Sequence, residues 1–132
     1  MSLVFIDTSV WARISQPSVG YAVADAISGG GVVITVPLML ELLRSARDGA
    51  EYAQLRLDYE ALSVVGLSDE ICARALDVQG RLSRRGYHRG PGPVDLLSAA
   101  AAETVKATLW HCDRDFELIA EVTHQPVRRL GR

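Results

Sequence analysis

Short apolar runs in this chain repeatedly meet an acidic residue, and that pattern constrains the fold more than any other feature. Asp7 closes Leu3-Val4-Phe5-Ile6, and Glu41 interrupts the run from Pro37 to Leu43. Asp95 opens the stretch that continues through Leu96-Leu97-Ser98-Ala99-Ala100. Asp113 and Asp115 follow Thr108-Leu109-Trp110-His111-Cys112. Some of these positions are strand-to-helix junctions; the others fall near the starts of helical segments. In open α/β sheets, ligands gather in the crevice at the carboxyl ends of the strands. Carboxylates that converge there repel one another unless a hard divalent cation neutralises them.

The spacing of apolar and turn residues predicts alternating strands and helices along the whole chain. Leu3–Ile6 is a strand ending in the capping residues Asp7-Thr8-Ser9, and a short helix is expected over Val10–Ile14. Pro17-Ser18 starts a helix to about Ile27, and Gly29-Gly30-Gly31 stops it. Val32-Val33-Ile34-Thr35 is β-branched throughout and predicts a strand. Pro37 suits a first helical turn, with helix expected through Arg47, a break at Asp48-Gly49 and further helix to Leu62. Ser63–Val65 predicts a brief strand, and Ser68-Asp69-Glu70 caps a helix from about Ile71 to Arg84. Gly86–Gly92 is a loop, Pro93 launches the Asp95 helix, and Thr108–His111 is a strand. A short helix over Phe116–Val122 and an edge strand opening at Pro126-Val127 complete the order. The βαβ alternation predicts an α/β fold with a mainly parallel sheet covered by helices.

A length of 132 residues suits a single domain over 1–132, with no internal repeat or linker. The apolar runs are too short and too interrupted to predict a membrane span, and the N-terminus lacks the basic region and long apolar stretch of a secretory signal. Cys72 and Cys112 form no CxxC pair, which suits a reducing, cytoplasmic setting. A net charge of −2 alone argues weakly against nucleic acid, but bound metal and clustered bases can outweigh a whole-chain balance.

Each acid has an ordinary explanation when taken singly. Asp7 can cap a helix, Glu41 can pair weakly with Arg44 at i,i+3, and Asp95 complements a helix dipole. Asp113 and Asp115 can cap the helix at Phe116. The functional argument rests on the set, because four separate places carry an acid beside the same kind of junction.

Four segments carry a family resemblance. They are Val4-Phe5-Ile6-Asp7-Thr8-Ser9-Val10-Trp11, the stretch from Val36 to Leu42, Pro93-Val94-Asp95-Leu96-Leu97-Ser98-Ala99-Ala100-Ala101-Ala102, and Leu109 to Ala120 around Asp113-Arg114-Asp115-Phe116. Together they resemble PIN-domain ribonucleases across essentially the whole chain, and the length is similar to VapC-type toxins of bacterial toxin–antitoxin pairs. The resemblance implies a three-layer PIN-like fold with a central parallel sheet of about five strands between helices. It implies an endoribonuclease that depends on Mg²⁺ or Mn²⁺, a cognate antitoxin as partner and a homodimer. Asp7, Glu41 and Asp95 match the family's first three acids; Asp113 and Asp115 compete for the fourth. Thr8 and Ser9 match the hydroxyl position beside the first acid, where a side-chain oxygen orients a carboxylate or water.

Elementary chemistry agrees with that implication. Three or four carboxylates without paired histidines or thiolates suit Mg²⁺ better than Zn²⁺. A metal-activated water can attack a phosphodiester, with one carboxylate as general base. The segment Gly80–Gly90 is basic and contains no acid, so Arg84, Arg85 and Arg89 are candidates for RNA phosphates; the plain alternative is a solvated helix end. His111 and Cys112 find no zinc-like partners at the usual spacing and are expected to be structural. Two competing functions are a phosphoryl-transfer domain of receiver or phosphatase type and a catalytically silent RNA-binding module. A receiver wants paired acids after its first strand, where this chain has only Asp7, and a haloacid-type phosphatase wants a second acid two residues on.

Overall fold

The computed structural model describes residues 2–132. One five-stranded sheet organises it, built from β1 (Val4–Ile6), β2 (Val32–Ile34), β3 (Ser63–Val64), β4 (Thr108–His111) and β5 (Val127–Arg129). The strands lie in the order β3-β2-β1-β4-β5, and every neighbouring pair is parallel. Seven helices connect them: α1 (Thr8–Trp11), α2 (Pro17–Ser28), α3 (Val36–Leu43), α4 (Gly49–Glu60), α5 (Asp69–Ser83), α6 (Pro93–Thr104) and α7 (Arg114–Thr123). The chain therefore has the α/β, helix–sheet–helix architecture expected from its alternation.

The central strands are buried on both faces, which explains their continuous apolar character. On one face Phe5, Val33 and Leu109 pack with Leu38, Leu42, Ile71, Val78, Leu82, Phe116 and Ile119. On the other, Ile6, Val32 and Trp110 pack with Val10, Val19 and Val23. Alternation along β1 thus sends Phe5 to the face covered by α3, α5, α6 and α7, and Ile6 to the face covered by α2.

Several helices differ in extent from their sequence signals, α7 among them, which begins at Arg114 ahead of Phe116 because Asp113 caps it. The first begins at Thr8, ahead of Val10, because the Asp7 side chain accepts the Ser9 backbone N–H and starts the turn early. The third ends at Leu43, ahead of Arg47. There Arg44, Ser45 and Ala46 donate to carbonyls three residues back, and Ser45 Oγ donates to the Leu42 carbonyl. That tightening redirects the chain before Asp48 caps α4 through Glu51 N–H.

The sheet reverses its direction of growth between β1 and β4. From β1 the chain adds β2 and β3 on one side; it then returns to add β4 and β5 on the other. The crevice at the carboxyl ends of β1 and β4 is the topological switch point, where open α/β sheets hold their ligands. Asp7 follows β1 directly and Asp113 follows β4 by two residues.

Candidate active site

Asp7 is buried, with a relative exposure of only 4%. Its Oδ2 accepts from both the backbone N–H of Ser9 at 2.9 Å and the Ser9 hydroxyl at 2.6 Å. Burial raises its pKa above the ordinary aspartate value; the Ser9 bonds oppose that rise, and the nearby charge of Glu41 adds to it. Ser9 has a second task, since its Oγ accepts the Cys112 backbone N–H at 2.9 Å. A single hydroxyl thus ties the first acid to the chain just beyond β4. Ser9→Ala removes both bonds and leaves the Cys112 N–H unpaired, so a loss of about 1–3 kcal/mol is expected in urea unfolding. Wild-type stability in that variant would show that the linkage carries no energy.

Glu41 reaches the same place from α3. Thr8 Oγ1 donates to Glu41 Oε1 at 2.6 Å, which binds the residue after Asp7 to the helix beyond β2. The anticipated pairing of Glu41 with Arg44 does not form among the described residues. Asp95 enters from the first turn of α6, where its Oδ2 accepts the Gly92 backbone N–H at 3.0 Å. Burial raises the Asp95 pKa to about 6; the Gly92 bond lowers it, and the charges of Asp7, Asp113 and Asp115 push it up again. Four of the five acids therefore sense one another electrostatically through Asp95, and Glu41 joins through Asp7.

Asp113 and Asp115 play unequal local roles. Asp113 is the N-cap of α7, with Oδ1 accepting the Asp115 backbone N–H at 2.9 Å. Asp115 is free of any such bond among the described residues, and its pKa is raised by burial and by Asp113. His111, almost fully buried, accepts the Asp113 backbone N–H on Nδ1 at 3.3 Å and packs against Phe116. Burial lowers its pKa, which keeps that nitrogen available as an acceptor.

The three arginines do not share one location. Arg85 pairs with Glu121 at 3.0 Å, and Arg84 and Arg85 line a depression with Glu121, Val122 and His124. Those residues belong to the C-terminal end of α7, whose ten residues extend about 15 Å from the acids at its N-terminus. Arg89 is different. It precedes Gly90, where a Cβ would stand 3.2 Å from Asp115 Oδ1, so the 86–92 loop passes over the acid crevice.

Each of Glu41, Asp95 and Asp113 commits one carboxylate oxygen to an internal donor, and no described residue donates to its other oxygen. Among the described residues, no three His, Cys, Asp or Glu side chains converge closely enough to form a ready-made metal cage. The carboxylates are near enough to perturb one another without being drawn together. A cavity of about 700 Å³ adjoins this crevice, bordered by Thr8 and Glu41 and otherwise largely apolar, with Trp11, Leu55, Tyr59 and Leu62 in its wall. Trp11 is fixed there by donation from Nε1 to the Ile6 carbonyl and an edge-on contact with Tyr59. No single segment marks this cavity, because residues of α1, α2, α3 and α4 line it jointly.

A profile of the PIN domain matches residues 4–122. Ribonuclease VapC51 and Ribonuclease VapC2 of Mycobacterium tuberculosis are each 39% identical to this chain. The first comparison covers 92% of this chain and 88% of the relative; the second covers 95% and 90%. Ribonuclease VapC18 of the same organism is 32% identical, over 92% of this chain and 90% of its own length. Among solved structures, VapBC2 from Rickettsia felis, bound to a DNA fragment from its promoter, superposes with a TM-score of 0.78 at 15% identity, covering 98% of this chain and 99% of the other. DNA-bound VapBC from Salmonella typhimurium gives 0.75 at 17% identity, with 98% of each chain covered. These structural likenesses are of fold. With the profile and the close relatives, they establish that the chain belongs to the PIN domain family, among its VapC ribonucleases.

Proposed function

We propose that this protein is a metal-dependent endoribonuclease acting as the toxin of a toxin–antitoxin pair. The observation that carries the proposal is the gathering of Asp7, Asp95, Asp113 and Asp115 at the crevice beyond β1 and β4, where burial first, and the charges of the other three second, push Asp95 up to about 6. Such a cluster is stabilised by a counter-cation. An all-oxygen donor set with unengaged carboxylate oxygens fits Mg²⁺ or Mn²⁺. Asp7, Glu41, Asp95 and one or both of Asp113 and Asp115 would hold it. When bound, the cation supplies positive charge for a phosphate and acidifies water. The chain's own part is to hold that geometry: Ser9 fixes Asp7, Thr8 fixes Glu41, and the Gly92 N–H fixes Asp95. One carboxylate takes the proton of the attacking water as general base.

RNA is the substrate, with Arg89 beside the crevice and Arg84 and Arg85, at the end of α5 and beside the far end of α7, as candidate phosphate contacts. The single 1–132 domain works as a homodimer joined by an antitoxin. The apolar cavity beside Thr8 and Glu41 suits the antitoxin's apolar segment, with a basic side chain set against the carboxylates. A cytoplasmic setting agrees with the free thiols of Cys72 and Cys112. Among the described residues, no helix is long and apolar enough to cross a membrane.

Incubating the purified protein with total cellular RNA, with and without Mg²⁺, tests the proposal. New RNA ends that require Mg²⁺ are expected, fewer of them with Arg89→Ala, and expression without an antitoxin is expected to arrest bacterial growth. Intact RNA at all metal concentrations would defeat the nuclease proposal, while harmless, abundant expression would defeat only the toxin role.

A further inference from the structure

Two hydroxyls near the candidate site are fully buried and have no hydrogen-bond partner among the described residues: Thr35 Oγ1 and Ser98 Oγ, both on residues of 0% exposure. An unpaired buried hydroxyl costs about 1–3 kcal/mol, so neither is an ordinary packing choice. Ser98 is the more telling. It adjoins Ala99, Ala100, Ala101 and Ala102, and alanine there would bury no polar atom and would favour helix.

The fold brings both residues under the acids. β1 and β2 pair Val4 with Val32 and Phe5 with Val33, so the register, continued by two residues, sets Thr35 beside Asp7. Strand alternation places Thr35 on the same face as Val33, and Asp7 on the same face as Phe5. Phe5 and Val33 both pack into the core beneath α3 and α6. Ser98 lies three residues beyond Asp95, on the same side of α6 and about 4.5 Å deeper along its axis. α6 packs against β1, which Asp7 follows, against β4, and against α3, which Thr35 precedes.

One of the two ordinary local donors is also denied to Thr35. It is the N-cap of α3 but makes no side-chain cap bond. Pro37 occupies a position whose N–H would otherwise be a capping donor, and proline has none.

We propose that Thr35 and Ser98 form the polar floor of the acid site, together holding one buried water that hydrogen-bonds to Asp7 and Asp95. A buried water typically needs two to four polar partners, and two hydroxyls with two carboxylates meet that need. Thr35 and Ser98 are positioning residues. They act through the water to orient the carboxylates toward the cation, as outer-shell partners do in other metal sites. This inference rests on the metal-site proposal above.

The test compares Thr35→Val, Ser98→Ala and their double variant with Thr35→Ser, which keeps the hydroxyl. Calorimetric titration of each protein with Mn²⁺ is paired with high-resolution crystal structures of the metal-free wild type and double variant. Mn²⁺ affinity is expected to fall at least about tenfold in the double variant, with thermal stability held or raised and with Thr35→Ser close to wild type. An ordered water touching both hydroxyls is expected in the wild type and absent from the double variant. Equal Mn²⁺ affinity in wild type and double variant would overturn the inference while leaving the metal site standing. Hydroxyls bonded only to protein would overturn it as well. A wild type that binds no Mn²⁺ would bring down the metal-site proposal and this inference with it.

Discussion

Asp95→Asn is expected to lower Mg²⁺-dependent RNA cleavage by at least about 100-fold while leaving the fold intact, the scale of losing a group that acts directly at the reacting centre. The fold survives because the amide oxygen of asparagine can still accept the Gly92 N–H that Asp95 accepts at 3.0 Å. The α6 cap is therefore retained and only the negative charge is lost. Asp7→Asn is expected to act in the same direction. Its effect on stability is harder to separate, since Asp7 also anchors Ser9 through two bonds. Single-turnover cleavage at saturating RNA reads the chemical step alone, and Mg²⁺ titration of the same variants reads binding. If Asp95→Asn cleaves within a few-fold of wild type, Asp95 is only a helix-cap acid and the site must lie among the remaining carboxylates.

The fold was legible because its signals were local and mutually consistent. Val32-Val33-Ile34, the Pro17 and Pro93 helix starts and the Ser68 cap each place an element where the structure has one. Strand order followed less directly. Nothing local states that β4 pairs with β1, and only the rule that parallel strands need helical crossovers narrows the choice. The acids were legible as a candidate set for a related reason: each stands just after a strand or in the first turns of a helix.

What the sequence concealed were the tertiary partnerships. Thr8 bonding Glu41 spans 33 residues, and Ser9 accepting from Cys112 spans 103; no spacing rule reaches so far. Arg84, Arg85 and Arg89 looked like one basic cluster because they are close in sequence. The turn after α5 separates them, giving Arg85 to Glu121 and leaving Arg89 beside the crevice. Thr35 and Ser98 passed as ordinary strand and helix residues. The only available hint was a lone hydroxyl beside a run of alanines, on a helix already carrying a candidate ligand.

The second large effect expected is in stability without metal, and its sign follows from the direction of the shifts. Asp95 titrates near 6 in the folded protein against an ordinary value of 3.8, so the folded state binds its proton more tightly than the unfolded chain does. Its stabilising contribution is complete below about pH 4 and is lost as pH rises through about 6. Asp7 and Asp115 are raised as well and act in the same sense. His111 opposes them, because its pKa is lowered in the fold and its contribution is lost as pH falls below the ordinary histidine value. The wild-type profile alone therefore mixes two trends, and the difference between wild type and Asp95→Asn isolates the carboxylate. At pH 7.5 without metal, the variant should be more stable by about 1–3 kcal/mol, the upper figure being the shift converted at about 1.4 kcal/mol per unit. That corresponds to a melting temperature higher by at least roughly 3 °C. The gap should narrow as pH falls through about 6 and close only below about pH 4, where the Asp95 carboxyl is protonated in the unfolded chain as well. Saturating Mg²⁺ should stabilise the wild type by about 2.7 kcal/mol at a hundredfold excess over its dissociation constant, with a smaller gain in the variant. A variant less stable than wild type at pH 7.5, or a gap that does not change with pH, would mean that Asp95 lies in no repulsive cluster and that no counter-cation is called for there.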